Sequence, residues 1–232
     1  MALVKYGSGI VQMAGSIAGD VFARNRYGNY SRARTKPTNP NTSRQQVIRA
    51  CIANLSAVWS LVLTAAQRDS WNLYAASVNM KNRLGETILL SGFNQFVRSN
   101  SLLLQHGQTL VLPGPTIFEL PEKDPTFAIS ASEATQTISY TFDNAQLWAN
   151  EVGGFMFKYM GSPQNAQRNF FGGPWRLHGL VAGAAIPPTS PDDQATPPFA
   201  FAQGQHVWCY ARLMRADGRL SEPMRADCFC AA

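Results

Sequence analysis

Eight cationic side chains lie between residues 21 and 68, and no carboxylate lies among them. Crowded like charges repel one another, so such a cluster is stabilised by an anionic partner. A solvated surface normally mixes charges of both signs, and this segment does not. The pattern therefore predicts a binding site for an acidic partner. The eight residues are Arg24, Arg26, Arg32, Arg34, Lys36, Arg44, Arg49 and Arg68.

Most of these cations lie in residues 24–44, RNRYGNYSRARTKPTNPNTSR, a segment poor in helix-forming residues. Gly28 and Asn29 are suited to a turn that needs a positive φ. We predict a β-hairpin or extended arm, in which Arg32 and Arg34 share one face because the side-chain period of a strand is two. The predicted partner-binding residues are Arg24, Arg26, Tyr27, Tyr30, Arg32, Arg34, Lys36 and Arg44.

The remaining reactive residue types form no motif of an enzyme. His106, His178 and His206 have neither the HxxxH nor the HExxH spacing of a zinc site. The sequence also has no GxSxG, P-loop or GxGxxG motif. We therefore predict a protein that is not an enzyme, with no catalytic residue, no cofactor and no metal site.

The four cysteines fit a reduced, buried role better than a metal site. Cys228 and Cys230 form a CxC, which is not the spacing of a zinc knuckle. Cys51 lies on the apolar face of a predicted helix and is expected in the core. A disulfide between Cys209 and Cys228 is the alternative in an oxidising medium.

Charge is divided unevenly along the 232 residues. Residues 1–110 contain 12 Lys or Arg and 3 Asp or Glu, a net charge of +9, whereas residues 111–232 contain 8 and 11, a net charge of −3. The sign changes at a proline-rich stretch, residues 112–125, through which a helix cannot run. We predict an α+β protein with four parts: a basic β-hairpin or arm (1–40), a three-helix domain (41–110), a Pro-rich linker (111–126) and a β-sandwich domain (127–232).

The three helices are predicted from capping residues and from apolar residues three and four positions apart. Thr42 or Ser43 begins the first helix with a capping box that Gln45 or Gln46 closes, and Thr64 with Gln67 begins the second in the same way. A third helix follows Ser91-Gly92 and ends at Gly107. The apolar stripe of the first helix is Ile48, Cys51, Leu55, Trp59 and Val62, and the predicted aromatic core is Trp59, Trp71, Phe93 and Phe96.

From Phe127 onward the side-chain period is two, which predicts β-strands. Five to seven strands separated by turn residues fit an antiparallel sandwich. Residues 187–198, PPTSPDDQATPP, are predicted to form an exposed loop.

Residues 7–100 resemble a group of uncharacterised proteins encoded by tailed bacteriophages and prophages. The shared pattern is an NRxGxYxR arm, PxNPxT, a QxxxR helix, WxxLTxxQRxxW and SGxNxF, although this chain carries extra residues between Trp59 and Thr64. The segment GQHVWCYARLMRADGRLSEP (residues 204–223) is similar to the penultimate strand, turn and GxxSxP ending of a fibronectin type III or related immunoglobulin-like module. The resemblance implies a virion, where such modules decorate heads and tails.

The leading functional hypothesis is a structural protein of a tailed-phage virion, assembled in the host cytoplasm. Its expected partners are capsid, portal or tail proteins and further copies of itself in a homo-oligomer or larger assembly. No membrane partner is expected, because no apolar run approaches the 18–20 residues that span a bilayer. One alternative is an architectural DNA-binding protein that uses the basic arm. The other is a host-surface or glycan-binding adhesin with Trp148, Trp175 and Trp208 as stacking platforms.

Overall fold

The computed structural model describes residues 2–25, 28–36, 38–82 and 84–232. It contains three α-helices and four antiparallel sheets, which confirms the predicted α+β class. The helices are α1 (Ser43–Ala57), α2 (Ala65–Ser77) and α3 (Gly92–Gln105). The strands are β1 (Ala2–Leu3), β2 (Gly15–Ile17), β3 (Asp20–Asn25), β4 (Gly28–Ala33), β5 (Met80–Lys81), β6 (Thr87–Ile88), β7 (Ala128–Ser132), β8 (Thr137–Thr141), β9 (Phe155–Gly161), β10 (Trp175–Ala182), β11 (Asp192–Gln194), β12 (His206–Met214) and β13 (Met224–Phe229).

The predicted hairpin is the centre of a four-stranded sheet, here called the arm sheet, with strand order β1-β4-β3-β2. Strands β3 and β4 pair antiparallel, with Asp20 opposite Ala33 at one end and Asn25 opposite Gly28 at the other. Gly28 has the positive φ expected of the turn, 120°. The expectation of a positive φ for Asn29 is wrong, since Asn29 has no positive φ and pairs with Arg24 in β4.

Both predicted capping boxes are confirmed. The Thr42 side chain accepts from the Gln45 backbone N–H at 3.3 Å, and Thr64 accepts from that of Gln67 at the same distance. Each glutamine side chain in turn accepts from the backbone N–H of its threonine. The threonines thus satisfy N–H groups that a helix leaves free at its start.

The extra residues between Trp59 and Thr64 continue α1 as a π-helical turn, Val58–Val62. A π-turn accommodates inserted residues within a helix. Val62, the last residue of this turn, is 57% exposed, so its predicted place in the apolar stripe is wrong. Cys51 and Leu55 are buried as predicted.

Trp71 is at the centre of the helical core. Its ring lies edge-on to Phe96 and to Tyr74, with centroids 5.7 and 6.1 Å apart. The Trp71 indole N–H donates to the Leu112 carbonyl at 2.9 Å. Trp71 and Phe96 are fully buried, whereas Trp59 and Phe93, also predicted for this core, are only half-buried.

The start of α3 packs closely against α2. A Cβ built on Gly92 would lie 2.7 Å from the Asn72 backbone nitrogen, which leaves no room for a larger residue. The helix ends as predicted, since Gly107 has a φ of 66° directly after the last turn. The serine-glycine pair in the SGxNxF motif is thus a helix cap followed by a helix contact.

The β-region has two antiparallel sheets that share one apolar cluster. The three-stranded sheet has the order β11-β8-β7, and the four-stranded sheet has the order β10-β9-β12-β13. Inward-facing side chains of both sheets form the cluster, because alternate residues along each strand point to the same face. Its fully buried members include Ile138, Tyr140, Met156, Met160, Val207, Cys209 and Ala211.

The prediction of a loop over residues 187–198 is wrong for its centre. Asp192–Gln194 forms β11, which pairs antiparallel with β8 so that Asp192 lies opposite Tyr140. The prolines and aspartates of this segment are poor strand formers, so pairing with the neighbouring strand outweighs local preference here.

The helical unit and the β-region share a third apolar cluster. Leu102 and Leu103 of α3 lie in it with Phe155 and Phe157 of β9. The half-buried Arg98 guanidinium also donates to the Leu220 and Ser221 carbonyls at 2.7 and 3.0 Å. Residues 111–126 contain no helix or strand, and their first residues contact the helical unit through the Leu112 carbonyl and the Gly114 N–H.

Candidate partner-binding surface

Six of the eight predicted partner-binding residues are described by the structure. Arg24, Tyr30 and Arg32 lie on the β3–β4 hairpin, Arg34 and Lys36 follow it, and Arg44 lies in the first turn of α1. All except the half-buried Tyr30 are exposed. Arg26 and Tyr27 lie outside the described residues.

The hairpin is cationic on both faces. Tyr30 and Arg32 are two residues apart in β4 and share one face, which Arg34 extends beyond the strand. Arg24 pairs with Asn29 and therefore lies on the opposite face. The predicted common face of Arg32 and Arg34 agrees with this register, since the Arg34 N–H continues the ladder by donating to the Gly19 carbonyl at 2.7 Å.

Four cations of the arm have no counter-ion among the described residues. Within the described ranges, Arg24, Arg32, Arg34 and Lys36 form no ion pair. The side chain of Arg49 is used differently, since it donates to the side-chain oxygens of Asn41 and Asn39 at 3.0 and 2.8 Å and so ties the chain before α1 to that helix.

Arg44 is also placed where a cation is unfavourable. It lies in the first turn of α1, where the helix dipole is positive, and that turn carries no acidic residue. Its charge is near Tyr159 on β9, whose pKa is raised by burial and lowered in part by the charges of Arg212 and Arg44. Arg44 therefore adds a cation that the start of its own helix does not stabilise.

The arm sheet has no core of its own. Among the described residues up to Ala50, not one is buried. Several apolar side chains near the strands are open to solvent, among them Val11 at 91% and Ile17 at 59% exposure. One ion pair, Lys5 with Glu86 at 3.1 Å, links the sheet to the β5–β6 hairpin. A single layer of short strands that packs against no other layer is only marginally stable in water. This sheet therefore needs another surface to pack against.

A buried polar cluster in the β-region was missed by sequence reasoning. Lys158 of β9 is fully buried, forms an ion pair with Asp192 and donates to the Gln194 side-chain oxygen at 2.9 Å. Its ammonium also lies 4.9 Å from the Tyr140 ring centroid. Burial lowers the Lys158 pKa, and the Asp192 carboxylate opposes that shift. Sequence offered one signal, a lysine at an inward position of an otherwise apolar strand.

Acid is expected to destabilise the protein through His178, which lies beside this cluster. Burial and the Lys158 charge lower the His178 pKa to about 4, below the usual 6.5. As pH falls from 6.5 to 4, the unfolded chain binds a proton that the folded chain does not, so stability present above pH 6.5 is lost. Because His178 is partly exposed, we expect it to contribute about 2 kcal/mol to the free energy of unfolding that is lost between pH 6.5 and pH 4.

The measurement for His178 is urea unfolding of the wild-type and His178→Gln proteins at pH 7 and pH 4. The variant lacks the titrating group, so it is expected to lose about 2 kcal/mol less than the wild type over this range. Equal losses in the two proteins would show that His178 does not contribute.

The tryptophans weigh against the adhesin hypothesis. Trp148 is only 2% exposed and packs against Phe142 in the β-region core, so it offers no face to a sugar ring. Trp175 and Trp208 are half-buried on the outer face of the four-stranded sheet. The Trp175 ring lies edge-on to Phe171 and Tyr210, each at 4.9 Å, and the Arg225 guanidinium lies 5.7 Å from its centroid, so it is already engaged by neighbouring side chains.

The cysteines are free thiols, so the alternative disulfide between Cys209 and Cys228 is not formed. Burial raises the pKa of the Cys209 thiol to about 12 and that of Cys228 to about 11, which disfavours the reactive thiolate. In the part of the chain that is described, no three histidine, cysteine or acidic side chains converge as metal ligands would.

Across the described ranges, none of the helices combines the length and the apolar character needed to cross a bilayer. The chain matches no protein-family model, and no curated protein is significantly similar to it.

Proposed function

We propose that this protein is a structural component of a tailed-phage virion, which docks on an acidic neighbouring protein through its arm sheet and helical unit. The single observation that carries the docking is the arm sheet itself, a layer in which no described residue is buried and whose four cations form no ion pair with the residues that the structure describes. The virion is suggested by the resemblance of residues 7–100 to tailed-phage proteins, which includes the arm.

Docking would stabilise the arm sheet in two ways. An acidic surface would neutralise Arg24, Arg32, Arg34 and Lys36, which now repel one another. Burial of Tyr30 and the apolar side chains near it would add a hydrophobic contribution of roughly 25 cal/mol for each Å² removed from water. Arginine and tyrosine are both enriched at protein interfaces, and this arm is rich in both.

For the β-region we propose a fibronectin type III-like or immunoglobulin-like module that projects from the particle or contacts the next copy. The strand orders support this proposal. When β7 to β13 are lettered A, B, C, C′, E, F and G in chain order, the two sheets have the strand orders ABE and C′CFG. Both sheets contribute to one core. Such a module is a general scaffold, so its role in the virion follows from its surface and not from its fold.

The test of the proposed function is the protein content of purified particles from the phage or induced prophage that encodes the chain. Quantitative mass spectrometry is expected to find it at a fixed number of copies per particle, in a whole-number ratio to a known structural protein. Particles that are complete and infectious without any copy would rule out a structural role.

Nucleic-acid binding is the second candidate, and the register of the hairpin favours it. Arg24 and Arg32 lie on opposite faces of the arm sheet, so each face would present a cation to DNA phosphates. Six or more phosphate contacts would weaken binding about a thousandfold between about 50 and 200 mM salt. A gel-shift titration over that range decides between the candidates, since a virion protein of the first kind would show no such complex.

A further inference from the structure

A groove in the β-region has the chemistry that the arm requires. It has a volume of about 440 Å³ and is lined by Glu119, Glu122, Asp143, Leu147 and Trp148, among others. Glu119 and Glu122 are exposed, and none of its three carboxylates forms an ion pair within the described part of the chain. We call this site the acidic groove.

The cations of the acidic groove are already neutralised. Arg215 donates to Glu151 at 2.9 Å, and Arg219 donates to Asp217 at 2.7 Å. Both of these arginines line the groove, whereas their two carboxylate partners do not. The three carboxylates, which form no ion pair within the described residues, therefore give the groove a net negative charge.

Exposed apolar side chains at the acidic groove offer contact area to a polypeptide. Leu147 at the rim is 67% exposed, and Phe118 beside Glu119 is 41% exposed, so apolar contact area is available.

The geometry points to a second copy of this chain as the occupant: the arm sheet of one molecule, through Arg32 and Arg34, seats in the acidic groove of the next. This inference rests on the proposed function and names one partner of the docking surface. The two halves of the chain carry the opposite charges that such a contact needs, +9 for residues 1–110 and −3 for residues 111–232. The arm sheet is tied to the β5–β6 hairpin of its own chain by Lys5 and Glu86, and the groove lies elsewhere.

Such a contact joins two different surfaces, so it is heterologous. Heterologous contacts build rings when the rotation between copies closes, and open filaments when it does not. Rings and repeated arrays are both compatible with a position on a capsid, portal or tail. The acidic groove thereby gives the arm a specific partner and each copy two neighbours.

The test is a charge-reversal experiment read out by light scattering after size-exclusion chromatography. The wild type is expected to form oligomers at about 50 mM salt and to dissociate at about 500 mM, because exposed ion pairs are screened. Arg32→Glu/Arg34→Glu and Glu119→Lys/Glu122→Lys are each expected to associate about a hundredfold more weakly and to elute as monomers. All four residues are exposed, so neither variant disturbs a core.

Restoring complementarity is the decisive arm of the experiment. A mixture of the two charge-reversed proteins, and a single chain with all four substitutions, are both expected to assemble again. Lys81→Glu and Asp193→Lys reverse exposed charges outside the arm and the groove and are expected to leave assembly unchanged.

Three results would overturn the inference: a wild type that is monomeric at low salt, reversed variants that assemble normally, or a failure of the matched charges to restore assembly. The proposed function is tested separately. A protein that is monomeric in solution but present in purified particles would contradict this inference and leave the proposed function standing, because it would dock on another virion protein.

Discussion

Replacement of Trp71 by alanine is expected to lower the free energy of unfolding by about 4 kcal/mol, since truncation of a buried tryptophan costs 3–5 kcal/mol. The ring contacts Phe96 and Tyr74 in the helical core. It also reaches the β-region, because a Cβ built on Gly218 would lie 3.4 Å from it. Loss of the indole N–H would leave the Leu112 carbonyl without its donor, which adds to the cost.

Urea unfolding of Trp71→Ala measures this loss, and Leu73→Ala is the matched control. Leu73 lies on the same helix but is 57% exposed, so its truncation is expected to change stability by less than about 0.5 kcal/mol. A Trp71→Ala protein as stable as the Leu73 variant would mean that the helical unit does not depend on this residue.

Replacement of Asp192 by alanine is expected to lower the free energy of unfolding by about 3 kcal/mol at pH 7. The substitution leaves the fully buried Lys158 without a counter-ion, and breaking a buried ion pair costs about 3–5 kcal/mol. The lower end of that range applies because the Asp192 side chain is 33% exposed. Asp193→Ala, one residue away and exposed, is expected to be close to neutral.

The double variant Lys158→Met/Asp192→Ala shows whether the stability lost in Asp192→Ala comes from the broken ion pair or from damage to β11. An apolar side chain of similar length needs no counter-ion, so most of the lost stability is expected to return. The deficit of Asp192→Ala is also expected to shrink as pH rises above the Lys158 pKa of the folded wild type, which burial lowers, because Lys158 is then neutral in both folded proteins. If the double variant is as unstable as Asp192→Ala, the ion pair is not the cause.

The helices could be predicted from the sequence because their signals are local. A capping threonine and its glutamine are three residues apart, so Thr42 and Thr64 identify two helix starts without any tertiary information. The π-turn at Val58–Val62 could not be predicted in this way, since it depends on how an insertion is absorbed against Phe96 and its neighbours.

The buried cluster and the acidic groove depend on contacts between residues far apart in the chain. Lys158 and Asp192 are 34 residues apart and meet only when two sheets pack on one core. Asp192 lies in a segment whose prolines indicate a loop, so its strand was missed. The hairpin and the common face of Arg32 and Arg34 needed no such contacts, since a glycine suited to a turn and the period of two indicate them.

The most direct test of the central claim compares particles assembled with the wild-type chain and with a chain whose arm charges are reversed. The variant is Arg24→Glu/Arg32→Glu/Arg34→Glu/Lys36→Glu. None of the four side chains is buried, so its helical and β-regions are expected to fold normally by circular dichroism and urea unfolding.

The measured quantity is the number of copies per purified particle, with Lys81→Glu as the control for a change of charge outside the arm. We expect wild-type copy number for the control and at least a tenfold lower number for the arm variant. Incorporation of the arm variant at the wild-type level would show that the cationic arm does not dock this protein on its neighbours.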